Sequence, residues 1–126
     1  MKPLNFCKSI QKWKFAVDNN RLINLVLQGK KVATTDIYDK NHSSSINEFS
    51  FIINDEGEEV CLIKTKEIHI MPFGQMTWDL AKLEGEFENL EDWKKQHFSL
   101  YKNLDSSFNE NTYIEFEIFE VVEKYY

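Results

Sequence analysis

Hydrophobic and polar positions repeat with a helical period in the first part of the chain and then change to an alternating period. Residues 21–29 carry a wide apolar face, follow capping residues at 18–20, and end at Gly29. This pattern predicts a helix. The β-branched run 32–38 predicts a strand, and the polar segment 39–47 predicts a mobile loop.

The rest of the chain predicts a hairpin, two helices and a final strand. These elements are strands 49–53 and 60–70 around a turn at 54–57, a short helix over 75–84, a helix capped by Asn89, and a bulged strand over 112–122. In strand 60–70 the apolar residues change from one alternating set of positions to the other near Lys64, as happens in barrel strands that bend. The order predicts an α+β fold, with a small curled sheet flanked by helices, in one domain over residues 1–126.

Composition and charge limit the classes of partner. The 126 residues have a net charge of −6 and contain no basic tract, only lysine pairs such as Lys30-Lys31 and Lys94-Lys95. Non-specific binding to a nucleic acid relies on neutralising phosphates, so this balance disfavours a long polyanion. A small neutral ligand fits the charge better, although a local positive groove stays open.

Cysteine and histidine usage predicts neither a metal nor another cofactor. Cys7 and Cys61 are far apart without CxxC spacing, and we expect both to be reduced thiols. His42 and His69 have no partners at ligand spacing. Lysines interrupt the first 15 residues, and no apolar run is long enough for a bilayer, so we expect a cytoplasmic protein without membrane association.

Chemically useful side chains occur at two distant junctions. Lys31 lies between the first helix and its strand, Thr34 lies in that strand, and Glu84 and Glu86 lie where the short helix ends. An amine, a hydroxyl and a carboxylate in one pocket could hydrolyse an amide. In a regular strand, however, Lys31 shares a face with Thr35 and not with Thr34, so Lys31 must lie in the turn or Thr35 replaces Thr34.

Each of these residues also has an ordinary structural interpretation. Lys31 can be a solvated lysine at a helix C-terminus, and Glu84 can be a solvated helix end. A carboxylate beside Lys31 would also stabilise its ammonium form, which opposes a role as a base. His97 lies on an apolar stripe and is most simply a hydrogen-bonded core histidine. We expect the same core role for three large rings, those of Trp78, Trp93 and Tyr101.

The order and spacing of several short segments resemble the ASCH domain family of the PUA-like superfamily. The similarity runs from about Trp13 to Val122. The segments that carry it are Trp13-Lys14-Phe15, Leu25-Val26-Leu27-Gln28-Gly29-Lys30-Lys31-Val32-Ala33-Thr34, Glu59-Val60-Cys61-Leu62-Ile63, Pro72-Phe73, Ala81-Lys82-Leu83-Glu84-Gly85-Glu86, Leu90-Glu91-Asp92-Trp93-Lys94-Lys95-Gln96-His97-Phe98, and Glu117-Ile118-Phe119-Glu120-Val121-Val122.

The resemblance implies a small PUA-like β-barrel flanked by helices, with a ligand cleft. Some small members of the family are amidohydrolases that remove an acyl group from a modified cytidine, using a lysine, a threonine and a glutamate. Those positions correspond to Lys31, Thr34 and Glu84. On this basis we expect a hydrolase for an acylated nucleoside.

Three further residues, Lys30, Glu86 and Lys94, are expected to bind the substrate. The alternative that the resemblance leaves open is a PUA-like module for RNA or a nucleotide, with ribonuclease activity or with none. Lys94 and Ile118 stand where the family has arginines, which weakens the case for an anionic ligand.

Overall fold

The computed structural model describes residues 10–125, and Cys7 lies outside that range. Within residues 10–125 the fold consists of five strands and three α-helices. In chain order they are β1 (Gln11–Trp13), α1 (Asn19–Leu27), β2 (Ala33–Ile37), β3 (Phe49–Ile53), β4 (Glu59–Pro72), α2 (Trp78–Ala81), α3 (Leu90–Leu104) and β5 (Tyr113–Lys124). Single 3₁₀ turns, Phe73–Gln75 and Lys82–Glu84, lie on either side of α2. None of the helices in the described range is long and apolar enough to cross a membrane.

The strands form one mixed, curled sheet in the order β1-β3-β4-β5-β2. β1 is parallel to β3, and the other neighbours are antiparallel. The long strands β4 and β5 bend where their register shifts, between Leu62 and Ile63 and between Thr65 and Glu67. An extra residue in one strand increases the local twist, and this lets the sheet curl. The predicted hairpin and the α+β class are therefore confirmed.

Two clusters of buried side chains hold the helices against the sheet. Leu22, Ile23 and Val26 of α1 pack on one part of it, together with Ile52 and Ile63. The rings of α3 and of the following loop form the second cluster, in which Phe73 contacts Trp93 at 5.4 Å and Phe108 at 5.1 Å between ring centroids. The high aromatic content thus serves core packing, as the sequence predicts for Trp93 and Tyr101.

The predictions need correction at three points. The short strand β1 is missing from the predicted elements, because three residues are too few to show a period. The helix predicted over 75–84 is one turn of α-helix between 3₁₀ turns, since Pro72 and the left-handed Gly85 (φ 74°) confine it. Asp18 makes no side-chain capping bond to α1 and has a φ of 47°, whereas Asn89 caps α3 by accepting from the Asp92 amide.

Candidate functional site

The junction between α1 and β2 determines where Lys31 points. Gly29 has a φ of 77°, and the amides of Lys30 and Lys31 both donate to the Leu25 carbonyl, at 2.9 and 3.1 Å. The chain thus reverses tightly after the helix. The Val32 amide then donates to the Leu83 carbonyl at 2.9 Å, which fastens the junction to the segment that carries Glu84.

Gly85 permits this close approach between two segments that are far apart in sequence. Its φ is 74°, and a Cβ atom added there would lie 2.1 Å from the Lys30 carbonyl oxygen. Glycine alone tolerates both the left-handed backbone and the missing space. Gly85 therefore brings Lys31 within reach of the carboxylates on either side of it in the chain.

Lys31 is a buried cation held between two carboxylates. Its side chain is 1% exposed, and its Nζ lies 3.2 Å from Glu84 Oε1 and 2.6 Å from Glu86 Oε2. The same atom is 3.4 Å from the Glu84 carbonyl oxygen, and it lies 5.2 Å from the centre of the Phe15 ring. The structure therefore replaces the solvated lysine considered above with a buried ion pair.

Glu84 is fully occupied by donors. Its Oε2 accepts from the Thr35 hydroxyl at 2.6 Å and from the Trp93 indole N–H at 2.7 Å, and His97 Nε2 lies 3.5 Å away. Burial alone would raise the pKa of Glu84, but hydrogen bonding from His97 and the charge of Lys31, with a smaller part from Thr35, lower it to about 2. Glu84 is thus a fixed anion and not a proton carrier near neutral pH.

A cleft of about 450 Å³ opens beside this ion pair, between β2, α3 and the segment before α1. The size is within the range of small-molecule pockets in proteins. Its lining includes Lys31, Glu84 and Glu86 together with Thr34, Thr35, Asp36, His97 and Tyr101. Lys31, both threonines and Glu84 thus line one hollow.

A smaller cavity of about 250 Å³ lies next to the cleft. The two share Thr34, Asp36, Tyr101 and Leu104 in their linings. Glu115 and Glu117 of β5 line the smaller cavity and are almost fully buried. Burial raises the pKa of Glu117, against the lowering effect of its hydrogen bonds from Thr65 and Ser44. Carboxyl groups are therefore the main polar groups at this end of the hollow, and burial opposes the ionised form of Glu117.

Thr35, and not Thr34, joins the ion-pair network. β2 alternates, so that Thr35 faces inward to Glu84 while Thr34 and Asp36 project from the other face. The open question between the two threonines has a geometric answer: Thr35 supports the carboxylate, and Thr34 lies at the wall of both cavities with its side chain half-buried.

Two of the expected substrate-binding lysines lie elsewhere. Lys30 is exposed in the turn and is not part of the cleft lining, because only the next residue turns inward. Lys94 also lies outside it, and its Nζ donates to the Gly74 carbonyl at 3.1 Å. Among the three expected binding residues, Glu86 alone borders the cleft.

Comparison with known proteins shows the family. The model of the ASCH domain matches residues 11–123, which is most of the chain. The chain belongs to the ASCH domain family. The resemblance inferred from the short motifs is thereby confirmed.

Solved structures support the same fold. An ASCH domain from Lactobacillus crispatus JV V101 superimposes with a TM-score of 0.80 at 22% identity, over 90% of this chain and 80% of that one. Protein EF3133 from Enterococcus faecalis V583 gives a TM-score of 0.81 at 24% identity, over 90% of this chain and 77% of that one. No curated protein matches. These likenesses establish the PUA-like α+β fold.

Sequence reasoning missed the roles of three residues around the two cavities of this ASCH domain. Trp93 was expected only to pack, but its indole N–H also holds Glu84. Asp36 and Glu117 were not singled out, although a carboxylate within an apolar strand is a recognisable signal of an unusual environment. Pairing of β2 with β5, which sets Asp36 opposite Glu115 and Thr34 opposite Glu117, could not be read from one sequence.

Proposed function

We propose that this ASCH domain hydrolyses the amide bond of a small, uncharged, nucleoside-like molecule, with an acylated cytidine as the model substrate. One observation carries the proposal: Lys31 and Glu84, 53 positions apart, form a buried pair at the wall of a 450 Å³ cleft that Thr34 also lines. Building a buried ion pair costs solvation energy, and such pairs beside a cleft are candidates for function.

The geometry supports a specific role for each residue. Thr34 lines the cleft and lies outside the ion-pair network, so it is the candidate nucleophile. Lys31 is the candidate electrophilic group, because an ammonium beside a carbonyl oxygen stabilises the negative charge that forms in amide hydrolysis. Glu84 holds that ammonium in place. Glu86 is the more exposed of its two partners, with 11% of its side chain accessible, and is the one that a substrate oxygen can displace.

Charge favours a small neutral substrate over RNA. Carboxylates outnumber cations in the lining, which carries Asp18, Asp36, Glu84 and Glu86 against Lys14, Arg21 and Lys31. Lys31 is already balanced by Glu84 and Glu86, and Arg21 also lies 3.9 Å from Glu86. Lys30 and Lys94, which were expected to bind the substrate, lie outside the cleft. RNA binding therefore stays the alternative outcome of the test below.

The test measures the release of cytidine from N4-acetylcytidine, with chromatography as the detection method. We expect turnover by the wild type and a loss of about 100-fold or more in Lys31→Ala, as for removal of one oxyanion donor in other hydrolases. Lys30→Ala is the matched control, since it removes the adjacent but exposed lysine, and it should keep full activity. Thr34→Val should abolish turnover because it removes only the hydroxyl.

Two results would overturn the proposal. One is a wild type that releases no cytidine while binding RNA with an affinity that falls steeply with salt, which would support the binding module. The other is a folded Lys31→Ala variant with undiminished turnover.

A further inference from the structure

Asp36 occupies the point where the two cavities meet. Its side chain projects from the same face of β2 as Thr34, two residues earlier, and both residues line both cavities. Side chains two positions apart on a strand are separated by about 6.6 Å along it. A carboxylate and a hydroxyl at that separation can exchange a proton through one water, or directly if they lean together.

The Asp36 carboxylate is not occupied by the protein. Within residues 10–125, no hydrogen bond or ion pair to it is formed by another side chain or amide. The neighbouring carboxylates on β5 are both hydrogen-bonded. Glu115 accepts from the hydroxyl of Ser43 and the amide of Ser44, and Glu117 accepts from Thr65 at 2.6 Å. Both carboxylate oxygens of Asp36 can therefore accept hydrogen bonds from a ligand or a water molecule in the cleft.

The other members of the chemistry proposed above are engaged in ion pairs and hydrogen bonds. Glu86 contacts Lys31 through Oε2 at 2.6 Å and lies 3.9 Å from Arg21 through Oε1. Lys31 lies within hydrogen-bond distance of two carboxylates, and Glu84 is saturated with donors. Both ring nitrogens of His97 face oxygen atoms, with Nδ1 2.9 Å from the Trp93 carbonyl oxygen and Nε2 3.5 Å from Glu84. A threonine hydroxyl attacks an amide only when a neighbour removes its proton.

We propose that Asp36 is the general base of this site, taking the proton of the Thr34 hydroxyl as that oxygen attacks. This inference rests on the proposed amide hydrolysis. As the Thr34 oxygen bonds to the carbonyl carbon, its proton passes to Asp36. The carbon–nitrogen bond then breaks, and the amine leaves with that proton. Water attacks the acyl-threonine ester in the same way, which releases the carboxylic acid and restores the Thr34 hydroxyl.

The surroundings of Asp36 suit this role. The groups whose charges act on it are Glu84, His97, Glu115 and Glu117, and Tyr101 lines both cavities beside it. Asp39 and His42 line the smaller cavity and are not among those charges. Burial and then the charges of Glu115, Glu117 and Glu84 raise the pKa of Asp36 to about 6, with His97 acting in the opposite direction. By solvent-accessible area the Asp36 side chain is exposed, yet protein atoms lie close to its carboxyl on several sides. A base with a pKa near the working pH can both accept and return a proton.

The test compares the pH dependence of kcat/KM for wild type and Asp36→Asn on N4-acetylcytidine. We expect the wild-type rate to rise with pH through a midpoint near 6. Asp36→Asn should lose about 100-fold or more of the rate at pH 8, and the limb near pH 6 should disappear. Asp36→Glu keeps a carboxyl and should restore part of the activity, with a displaced midpoint. Asp39→Asn makes the same chemical change at the exposed rim of the smaller cavity and should leave the profile unchanged.

The outcomes separate the two proposals. A wild type that is active, with an unchanged midpoint and rate in folded Asp36→Asn, overturns the role of Asp36 and leaves the hydrolase standing. A rate that falls in both Asp36→Asn and Asp36→Glu while the midpoint stays near 6 points to a structural role and also overturns it. A wild type without turnover overturns both.

Discussion

Replacing Lys31 with methionine should expose how much the buried ion pair contributes to stability. Methionine fills nearly the same volume without the charge, so the perturbation is electrostatic and leaves little cavity. The variant buries two carboxylates, of Glu84 and Glu86, without their common cation. Removing one member of a buried pair costs about 3–5 kcal/mol, because the remaining charge is uncompensated.

The structure permits a second route to the magnitude. The pKa of Glu84 is lowered from 4.5 to about 2, and such a shift corresponds to about 3 kcal/mol of stability from all of its partners. Trp93 and Thr35 still donate to Glu84 in the variant, which retains part of this amount, whereas Glu86 loses its closest cation. We therefore expect Lys31→Met to lower the free energy of unfolding by about 3 kcal/mol.

The lowered pKa of Glu84 also predicts how the stability difference between the two proteins changes with pH. Because the folded pKa of Glu84 is lowered, its contribution is fully present above about pH 4.5 and is lost as the pH falls through about 2. Without Lys31 that carboxyl takes up a proton more readily. The gap in stability between wild type and Lys31→Met should therefore be widest above pH 5 and should narrow in acid.

Urea unfolding at pH 7 and pH 3, followed by circular dichroism, measures both effects. Lys30→Met is the matched control, because Lys30 is exposed, and its stability should stay within about 0.5 kcal/mol of wild type. Adding Glu84→Gln to Lys31→Met should recover about 1 kcal/mol or more, since the pair is coupled. A loss in Lys31→Met below about 1 kcal/mol at pH 7, or a gap that widens in acid, would refute the reasoning.

Three other variants test neighbouring contacts by thermal or urea unfolding. Gly85→Ala should be destabilised well beyond Gly57→Ala. Both glycines have positive φ, so alanine at either position costs about 1–2 kcal/mol of strain, but only at Gly85 would the new Cβ also clash with backbone atoms. Equal losses of stability in the two variants would contradict this. Trp93→Phe should lose about 1–3 kcal/mol by removing the indole donor of Glu84, and an unchanged midpoint would show that donor to be dispensable. Asp36→Asn should be more stable than wild type at pH 8, because the raised pKa makes ionised Asp36 unfavourable in the folded state. This gain in stability should vanish below about pH 3.8, where Asp36 is protonated in both the folded and the unfolded state. A loss of stability at pH 8 would refute the expectation.

The sequence alone identified most of the elements and the family. Local signals sufficed for α1, for the hairpin of β3 and β4, and for the capped helix α3, because periodicity, turn residues and the Asn89 cap act within a few residues. The order of short motifs was enough for the ASCH assignment, which the family model over residues 11–123 confirms. The segment around α2 was harder to predict, because the effects of Pro72 and Gly85 on the backbone outweigh the helical spacing of its apolar residues.

Only the tertiary structure decided which side chains meet. The sequence placed Lys31 and Glu84 among the candidates, but their contact depends on Gly85 lying against the Lys30 carbonyl, a contact across 55 positions. The choice of Thr35 over Thr34 as the partner of Glu84 depends on the alternation of β2 once its register is fixed. Asp36 acquires its raised pKa only because β2 pairs with β5 and brings Glu115 and Glu117 beside it. Propensity and capping are properties of neighbours along the chain, whereas burial and electrostatic fields come from neighbours in space.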